Sequence, residues 1–404
     1  MNQPLAADFI VIGAGILGLS VARSLKRKFP DQRILILEKE AQIGKHASGK
    51  NSGVLHSGIY YPPHSLKAKF CAGGARAMKE FCLEAKLPLN PIGKLILPTN
   101  DAEDALLPML FERGQKNGAE VKILDEKEIQ ALEPSVRSFS GRALYSPQTS
   151  VIASVKVLEE LARELSNKNV DIIYESRVVS VASSARQLKT DKADVFSYGV
   201  LVNCGGLQAD LIAKCCKSAT NFTMLPFKGI YYKLKKDAPL KLNHLIYPVP
   251  DMNVPFLGIH FTKSIDGEIS IGPSALPSLG RENYHGLNGI DWAEIVSRVT
   301  QLTGQYVKNK NGFRRFAHIE LQRMFRTPFI SAARKLVPSM KPEFISDERK
   351  VGIRAQLFDK AKNELVMDFL VEKGENSVHI LNAVSPGFTS AFSFSDHIVE
   401  NFLL

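Results

Sequence analysis

The apolar positions of this chain change period along its length, and the changes mark out its elements. From Asp8 to Glu38 a solid apolar run, Phe9-Ile10-Val11-Ile12, is followed by a glycine turn from Gly13 to Gly18, an amphipathic run from Leu19 to Lys28 and a second apolar run, Ile34 to Leu37. Unbroken runs of strand length on either side of a helix-length segment predict one βαβ unit whose strands are buried on both faces. A polar loop from Ala41 to Tyr61 follows, then helical periodicity from Leu66 to Ala85 and from Asp101 to Asn117. A helix from Ser154 to Ser166 leads into β-rich sequence from Asp171 to Ser180, and Val200 to Asn203 is another buried strand. Strand-like runs then succeed one another at Gly229–Leu234, His244–Pro248, Phe256–Thr262 and Glu268–Gly272, with Asp266-Gly267 as a hairpin turn. That spacing predicts an antiparallel sheet. Trp292 to Lys341 is helical, Val378 to Leu381 is a last strand, and Ser385 to Leu404 is a final helix. The fold class is therefore α/β: a Rossmann-type unit joined to a second, antiparallel or mixed sheet.

Composition narrows this picture. A chain of 404 residues with 45% apolar content exceeds one small core, so two connected domains are expected. The net charge of +11 favours anionic partners, and much of it is local. Between Gln301 and Lys341 nine Lys/Arg face a single acid, Glu320. The five cysteines form no C-x-x-C pair, which argues against a disulfide framework or zinc ribbon and for a reducing, cytoplasmic setting. No His spacing resembles a metal site, and none is expected. No stretch reaches the ~18 apolar residues of a membrane span.

Gly13-Ala14-Gly15-Ile16-Leu17-Gly18 fits G-x-G-x-x-G in the context that gives the pattern meaning, a strand before it and a helix after it. Gly13 serves the tight turn, Gly15 the approach of a pyrophosphate and Gly18 the packing of helix on strand. Glu38, 20 residues beyond Gly18, is placed to accept hydrogen bonds from ribose hydroxyls. At the other end of the chain, Asn382 to Thr389 follows a strand and opens the final helix. The amides of Gly387, Phe388 and Thr389 face the pyrimidine edge of a flavin, or else this loop simply caps an ordinary helix.

Together the turn, Glu38, Asn203-Cys204-Gly205-Gly206 and the closing glycine loop resemble the D-amino-acid-oxidase-like flavoproteins. Gly49 to Tyr61, Ser65 to Lys69, Pro226 to Gly229, Ile246 to Asp251, Pro255 to Thr262 and Gly352 to Gln356 resemble the L-2-hydroxyglutarate dehydrogenase/oxidase family. Lys50 stands where that family usually has His, Ile230 where it has an acid, and Val384 and Gly387-Phe388 depart from its closing loop. The resemblance implies an FAD domain assembled from residues 1–85, 150–215 and 345–404, and a substrate domain from 86–149 and 216–344. It implies FAD contacts at Lys39, Asn51, Ser52, Gly53, Val178 and Gly205 as well, and oxidation of a small 2-hydroxy acid, most closely L-2-hydroxyglutarate. Oxidoreductases acting on an amino acid or glycerol 3-phosphate are the alternatives within the superfamily, and a flavin-binding partner protein without turnover is the alternative outside it.

Oxidation of a 2-hydroxy acid requires a base beside the hydroxyl, and His is the side chain whose ordinary pKa lies near neutrality. His260 and His56 are the candidates, His260 as base and His56 nearer the flavin. A carboxylate needs a cation, and Arg354 lies in a short apolar run where an unpaired charge is expensive. A structural ion pair is its alternative reading. Tyr60, Tyr247, Lys228 and Arg281 are secondary candidates for the substrate. The basic and aromatic stretch from Gly312 to Phe329 reads as a solvated helical face or as a peripheral membrane contact, the latter suiting a quinone or respiratory-chain acceptor. No nucleic-acid module accompanies it.

Overall fold

The computed structural model describes residues 5–403. An eight-stranded sheet is built around the opening strand Leu5–Ile12, which lies parallel between Val195–Asn203 and Ile34–Leu37. Ser377–Asn382 pairs parallel with Val195–Asn203 on its far side. All four residues of Ile34–Leu37 are buried, as expected of a parallel strand covered on both faces. The opening helix Ile16–Lys28, the long helix Leu66–Glu84, the helix Ser154–Ser166 and the closing helix Gly387–Phe402 share one apolar core on this sheet. The closing helix packs against both the opening and the long helix.

A nine-stranded mixed sheet forms the roof, with Phe227–Leu234, Ile269–Gly272, His260–Lys263, Leu245–Pro248, Lys94–Leu97 and Ala143–Ser146 as consecutive neighbours. Strand alternation sorts its residues into two faces. Leu95, Leu97, Ile246, Phe261 and Ile271 point outward into a core shared with the helix Arg326–Arg334. Ile96, Leu245 and Tyr247 point inward with Val54, Ile59 and Tyr60.

Three expectations change. The strand Ile345–Arg354 pairs antiparallel with Phe227–Leu234 in the roof, so this segment leaves the nucleotide sheet to which 345–404 was assigned, and only from Leu370 does the chain return there. The segment from Asp101 to Asn117 is two helices, Asp101–Asp104 and Leu107–Lys116, the second carrying Pro108 in its first turn where proline is tolerated. Phe256 to Ile259 is loop rather than strand, and regular pairing begins only at His260. The Asp266-Gly267 turn is as expected, with Gly267 at φ +83°. All five cysteines are free. Among the described residues no helix is long and apolar enough to cross a membrane.

Candidate active site

The opening strand ends level with both neighbours, Ile12 standing opposite Asn203 on one side and Leu37 on the other. Its glycine turn emerges at the carboxyl edge of the sheet, where open α/β sheets bind ligands. Gly13 adopts φ +98°, and a Cβ there would stand 2.8 Å from the Cys204 carbonyl oxygen. At Gly18 a Cβ would stand 1.8 Å from the Gly13 carbonyl oxygen, so backbone excludes any side chain. The opening helix has neither a side-chain cap nor an acid in its first turn, which leaves amide hydrogens and a positive dipole end for an anion. Ser48 Oγ takes one of them, from Ile16, at 3.0 Å. Glu38 accepts hydrogen bonds from the amides of Ala14 at 2.8 Å and Glu40 at 3.0 Å, which fixes its carboxylate beside the turn.

The closing helix likewise begins without a side-chain cap or first-turn acid. Thr389 Oγ1 accepts from the His56 amide at 3.1 Å and donates to the Val54 carbonyl at 3.4 Å. This joins the start of that helix, with Gly387 and Phe388, to the loop carrying His56. Asn51 shapes the same loop from within, accepting from the Gly53 amide at 2.8 Å and the Ser154 hydroxyl at 2.7 Å. Ser52 lies half-buried beside it, and Gly205 donates to Asn203 Oδ1 at 3.0 Å. Val178 opens an edge strand of the nucleotide sheet, opposite Thr190. Lys39 lies in a charged cluster: its ammonium is paired with Glu40 and lies 2.9 Å from Glu282 and 2.7 Å from His46. Although Glu40, His46 and Glu282 converge as a metal site would, the Lys39 ammonium already supplies positive charge to all three.

The roof brings its inward residues together over this edge. His260 Nδ1 lies 2.7 Å from the Gly258 carbonyl, so Nδ1 carries the proton and Nε2 is left as acceptor. The ring stacks on Tyr247 at 3.9 Å and meets Tyr231 edge-on at 6.0 Å. Burial pushes its pKa down to about 3, with Arg354 and Lys94 acting in the same sense against the pull of the Gly258 bond. His56 is also held neutral, at about 3, by burial first and by the charges of Lys94 and His260 second. Its Nδ1 and the Tyr60 hydroxyl are buried without a partner.

Arg354 reaches the site across the sheet. It stands opposite Phe227, and its Cζ would lie in ordinary contact, 3.7 Å, with a Cβ on Gly229, so the guanidinium lies over the Phe227 and Gly229 face of the sheet. The group lies 5.4 Å from the Phe256 ring centre, and its Nη1 is buried with no partner. Gly352 admits the Lys50 carbonyl where a Cβ would stand 2.7 Å from it, which brings the Ala41–Tyr61 loop against this strand.

Two secondary candidates fall elsewhere. Lys228 alternates with Phe227 and Gly229, so it lies on the opposite face of the strand and donates to Asn283 at 2.8 Å. Arg281 is buried in a structural network, bonded to Asp210 at 2.5 and 3.1 Å and to Glu294 at 2.7 Å. Its charge is already balanced. One residue of the site escaped the reading of the sequence. Lys94 heads the strand Lys94–Leu97, is 1% exposed and shares the inward side with Ile96. A charge at the head of an apolar run was the available signal.

These features fit an FAD: a phosphate turn that backbone keeps free of side chains, a carboxylate beside it, a second helix start at the far end and buried polar atoms lacking partners between. A family model described as FAD dependent oxidoreductase matches residues 8–400. The chain is 34% identical to the L-2-hydroxyglutarate dehydrogenase of Indibacter alkaliphilus over 97% of each chain. It is 32% identical to that of Escherichia coli, over 97% of this chain and 92% of the relative. To the mitochondrial L-2-hydroxyglutarate dehydrogenase of Homo sapiens it is 31% identical, over 97% and 88%. The fold is similar to that of dithionite-reduced, FAD-bound L-alpha-glycerophosphate oxidase from Mycoplasma pneumoniae, with a TM-score of 0.76 at 22% identity over 98% of this chain and 95% of that one. It is similar also to glycine oxidase from Geobacillus kaustophilus, with a TM-score of 0.73 at 16% identity over 99% and 95%. On the span of the family model and the identity to these relatives, the chain belongs to the FAD dependent oxidoreductases and, among them, to the family of the L-2-hydroxyglutarate dehydrogenases.

Proposed function

We propose that this oxidoreductase converts a 2-hydroxy acid, L-2-hydroxyglutarate, into the corresponding 2-oxo acid, 2-oxoglutarate. The observation that carries the reading is a buried guanidinium with an unpartnered nitrogen, Arg354, beside a neutral imidazole whose tautomer is set, His260. Arg354 receives the carboxylate next to the hydroxyl in a forked pair of hydrogen bonds. His260 Nε2 then accepts the hydroxyl proton, and the Gly258 carbonyl stabilises the imidazolium through Nδ1. The incoming carboxylate itself raises the basicity of His260, because an adjacent negative charge favours the protonated ring. Bound FAD supplies the acceptor for the hydride that leaves the same carbon. Burial of Tyr60, Tyr247 and His260 keeps water out of the exchange.

The charge of the site disfavours the amino-acid alternative. An amino acid brings an ammonium group, which Arg354 and Lys94 repel, whereas a hydroxy acid brings none. Anaerobic addition of L-2-hydroxyglutarate to the purified flavoprotein is expected to bleach its absorbance, while glycerol 3-phosphate and amino acids leave it unchanged. His260→Gln is expected to slow this reduction ~100-fold or more while retaining the flavin. Bleaching by glycerol 3-phosphate alone reassigns the substrate, and a flavin that no small acid reduces leaves the reading of a binding protein without turnover.

The helical layer supports a peripheral membrane contact as the route to a quinone acceptor. On the helix Trp292–Lys308, Arg298 and Gln305 are buried, while Trp292 and Val296 are 73% and 74% exposed and Val299 and Val307 are exposed on the same side. Its amphipathicity is thus reversed, with polar groups inward and an apolar stripe toward solvent. The two acids between residues 292 and 341, Glu294 and Glu320, are both engaged in ion pairs with arginines. Arg314 donates to the carbonyls of Tyr306 at 3.2 Å and Val307 at 3.0 Å, placing a cation at the end of the stripe. An apolar stripe edged by positive charge is complementary to anionic lipid.

A further inference from the structure

The Lys94 ammonium is an expensive group with nothing among the described residues to balance it. Nζ lies 4.6 Å from the Tyr60 ring centre and 5.4 Å from that of Tyr247. Ring faces offset only part of the cost of withdrawing an ammonium from water. Burial draws its pKa down to about 8, and the other group that bears on it is the Cys71 thiol, which burial pushes up to about 12 and so keeps neutral. No carboxylate pairs with Lys94 among the described residues. Close by, the Tyr60 hydroxyl is buried without a partner.

Lys94 and Arg354 flank one row of rings. Arg354 bears on Tyr231, Tyr231 meets His260 edge-on, His260 stacks on Tyr247, and Tyr247 lies under Lys94. The candidate base therefore sits between two cations, of which Arg354 alone has a carboxylate, Glu320, bearing on it. We propose that Lys94 Nζ and the Tyr60 hydroxyl form a subsite for the second carboxylate of a diacid whose first carboxylate is held by Arg354, and that Lys94 selects dicarboxylates over monocarboxylates. This rests on the reading of the site as a 2-hydroxy-acid centre. A molecule held at both ends is fixed in position between them, so the hydroxyl carbon is kept beside His260 Nε2. An acid with one carboxylate leaves Lys94 unpaired and loses the gain.

Calorimetric titration of the oxidised holoenzyme with glutarate and pentanoate tests this without turnover, since the two differ by one carboxylate and neither carries a hydroxyl. The wild type is expected to favour glutarate. Lys94→Met is expected to weaken glutarate ~10- to 100-fold and leave pentanoate unchanged, as for loss of a charged hydrogen bond. Lys94→Arg, which keeps the charge, is expected to retain the preference. The wild type provides a measurement that needs no variant: glutarate affinity falls as the pH rises through about 8, where Lys94 loses its proton. Of the groups facing it, His56 and His260 titrate near 3, Cys71 near 12, and Tyr60 and Tyr247 well above 10. Undiminished glutarate preference in Lys94→Met, parallel weakening of both acids, or a wild type without preference overturns the proposal. If glutarate binds as expected yet L-2-hydroxyglutarate leaves the flavin oxidised, the subsite stands and the oxidation reading fails.

Discussion

His260 shows how one residue acquires a role from its surroundings. The bond to Gly258 selects the tautomer, and burial selects the neutral form. The same burial carries a cost in acid. In the unfolded chain His56 and His260 take up protons below their ordinary pKa of 6.5, whereas folded they resist until about 3. The unfolded state thus binds more protons in that interval, and stability falls as the pH falls from 6.5 toward 3. Each histidine is expected to contribute ~1.4 kcal/mol per pH unit in this window. Urea unfolding at a series of acid pH values checks it, because His260→Gln should flatten the slope; an unchanged slope removes His260 as its source. Residue by residue, legibility followed locality. Arg354 in an apolar run was readable as a buried cation, but Arg281 gives a similar impression and is neutralised by Asp210 and Glu294, partners that only the fold brings to it.

Among the elements, the glycine turn was the most legible, because strand, turn and helix are contiguous and Gly18 answers to Gly13 within the turn itself. That contact has a magnitude. Gly18→Ala would force a Cβ to 1.8 Å from the Gly13 carbonyl, so the turn must open. Destabilisation of ~3 kcal/mol or more is expected, together with loss of FAD; thermal unfolding and the flavin content of the purified variant measure both. A variant of wild-type stability and flavin content would show that the turn is not as tight as described. The strand Ile345–Arg354 was less legible. Its partner, Phe227–Leu234, is far away in sequence, and no local pattern states which of two sheets a strand joins. Inward and outward faces of the roof became assignable only with the register, which is why Lys228 stood among the secondary substrate candidates beforehand.

At the scale of the whole molecule, charge and shape combine in the helical layer. The stretch singled out in the sequence was basic and aromatic, but the apolar stripe lies one helix earlier, on Trp292–Lys308, where the inward residues are polar and conceal the usual signature. Flotation with vesicles containing phosphatidylglycerol is expected to carry the protein upward at low salt, with less binding as salt screens the attraction. The combined change Trp292→Ser, Val296→Ser and Val299→Ser should weaken this ~10-fold or more while substrate-driven flavin reduction in solution is unchanged. Equal binding to uncharged phosphatidylcholine, or none to either, would count against the stripe as a lipid contact.

The partnership of the opening and closing helices also has a temporal side. The turn at Gly13–Gly18 leaves the ribosome well before Gly387–Phe402, which completes the same core. A nascent chain thus displays half a nucleotide pocket until that helix has been made. Cofactor capture belongs after that helix has emerged, and the apoprotein is the species that must stay folded long enough to be loaded.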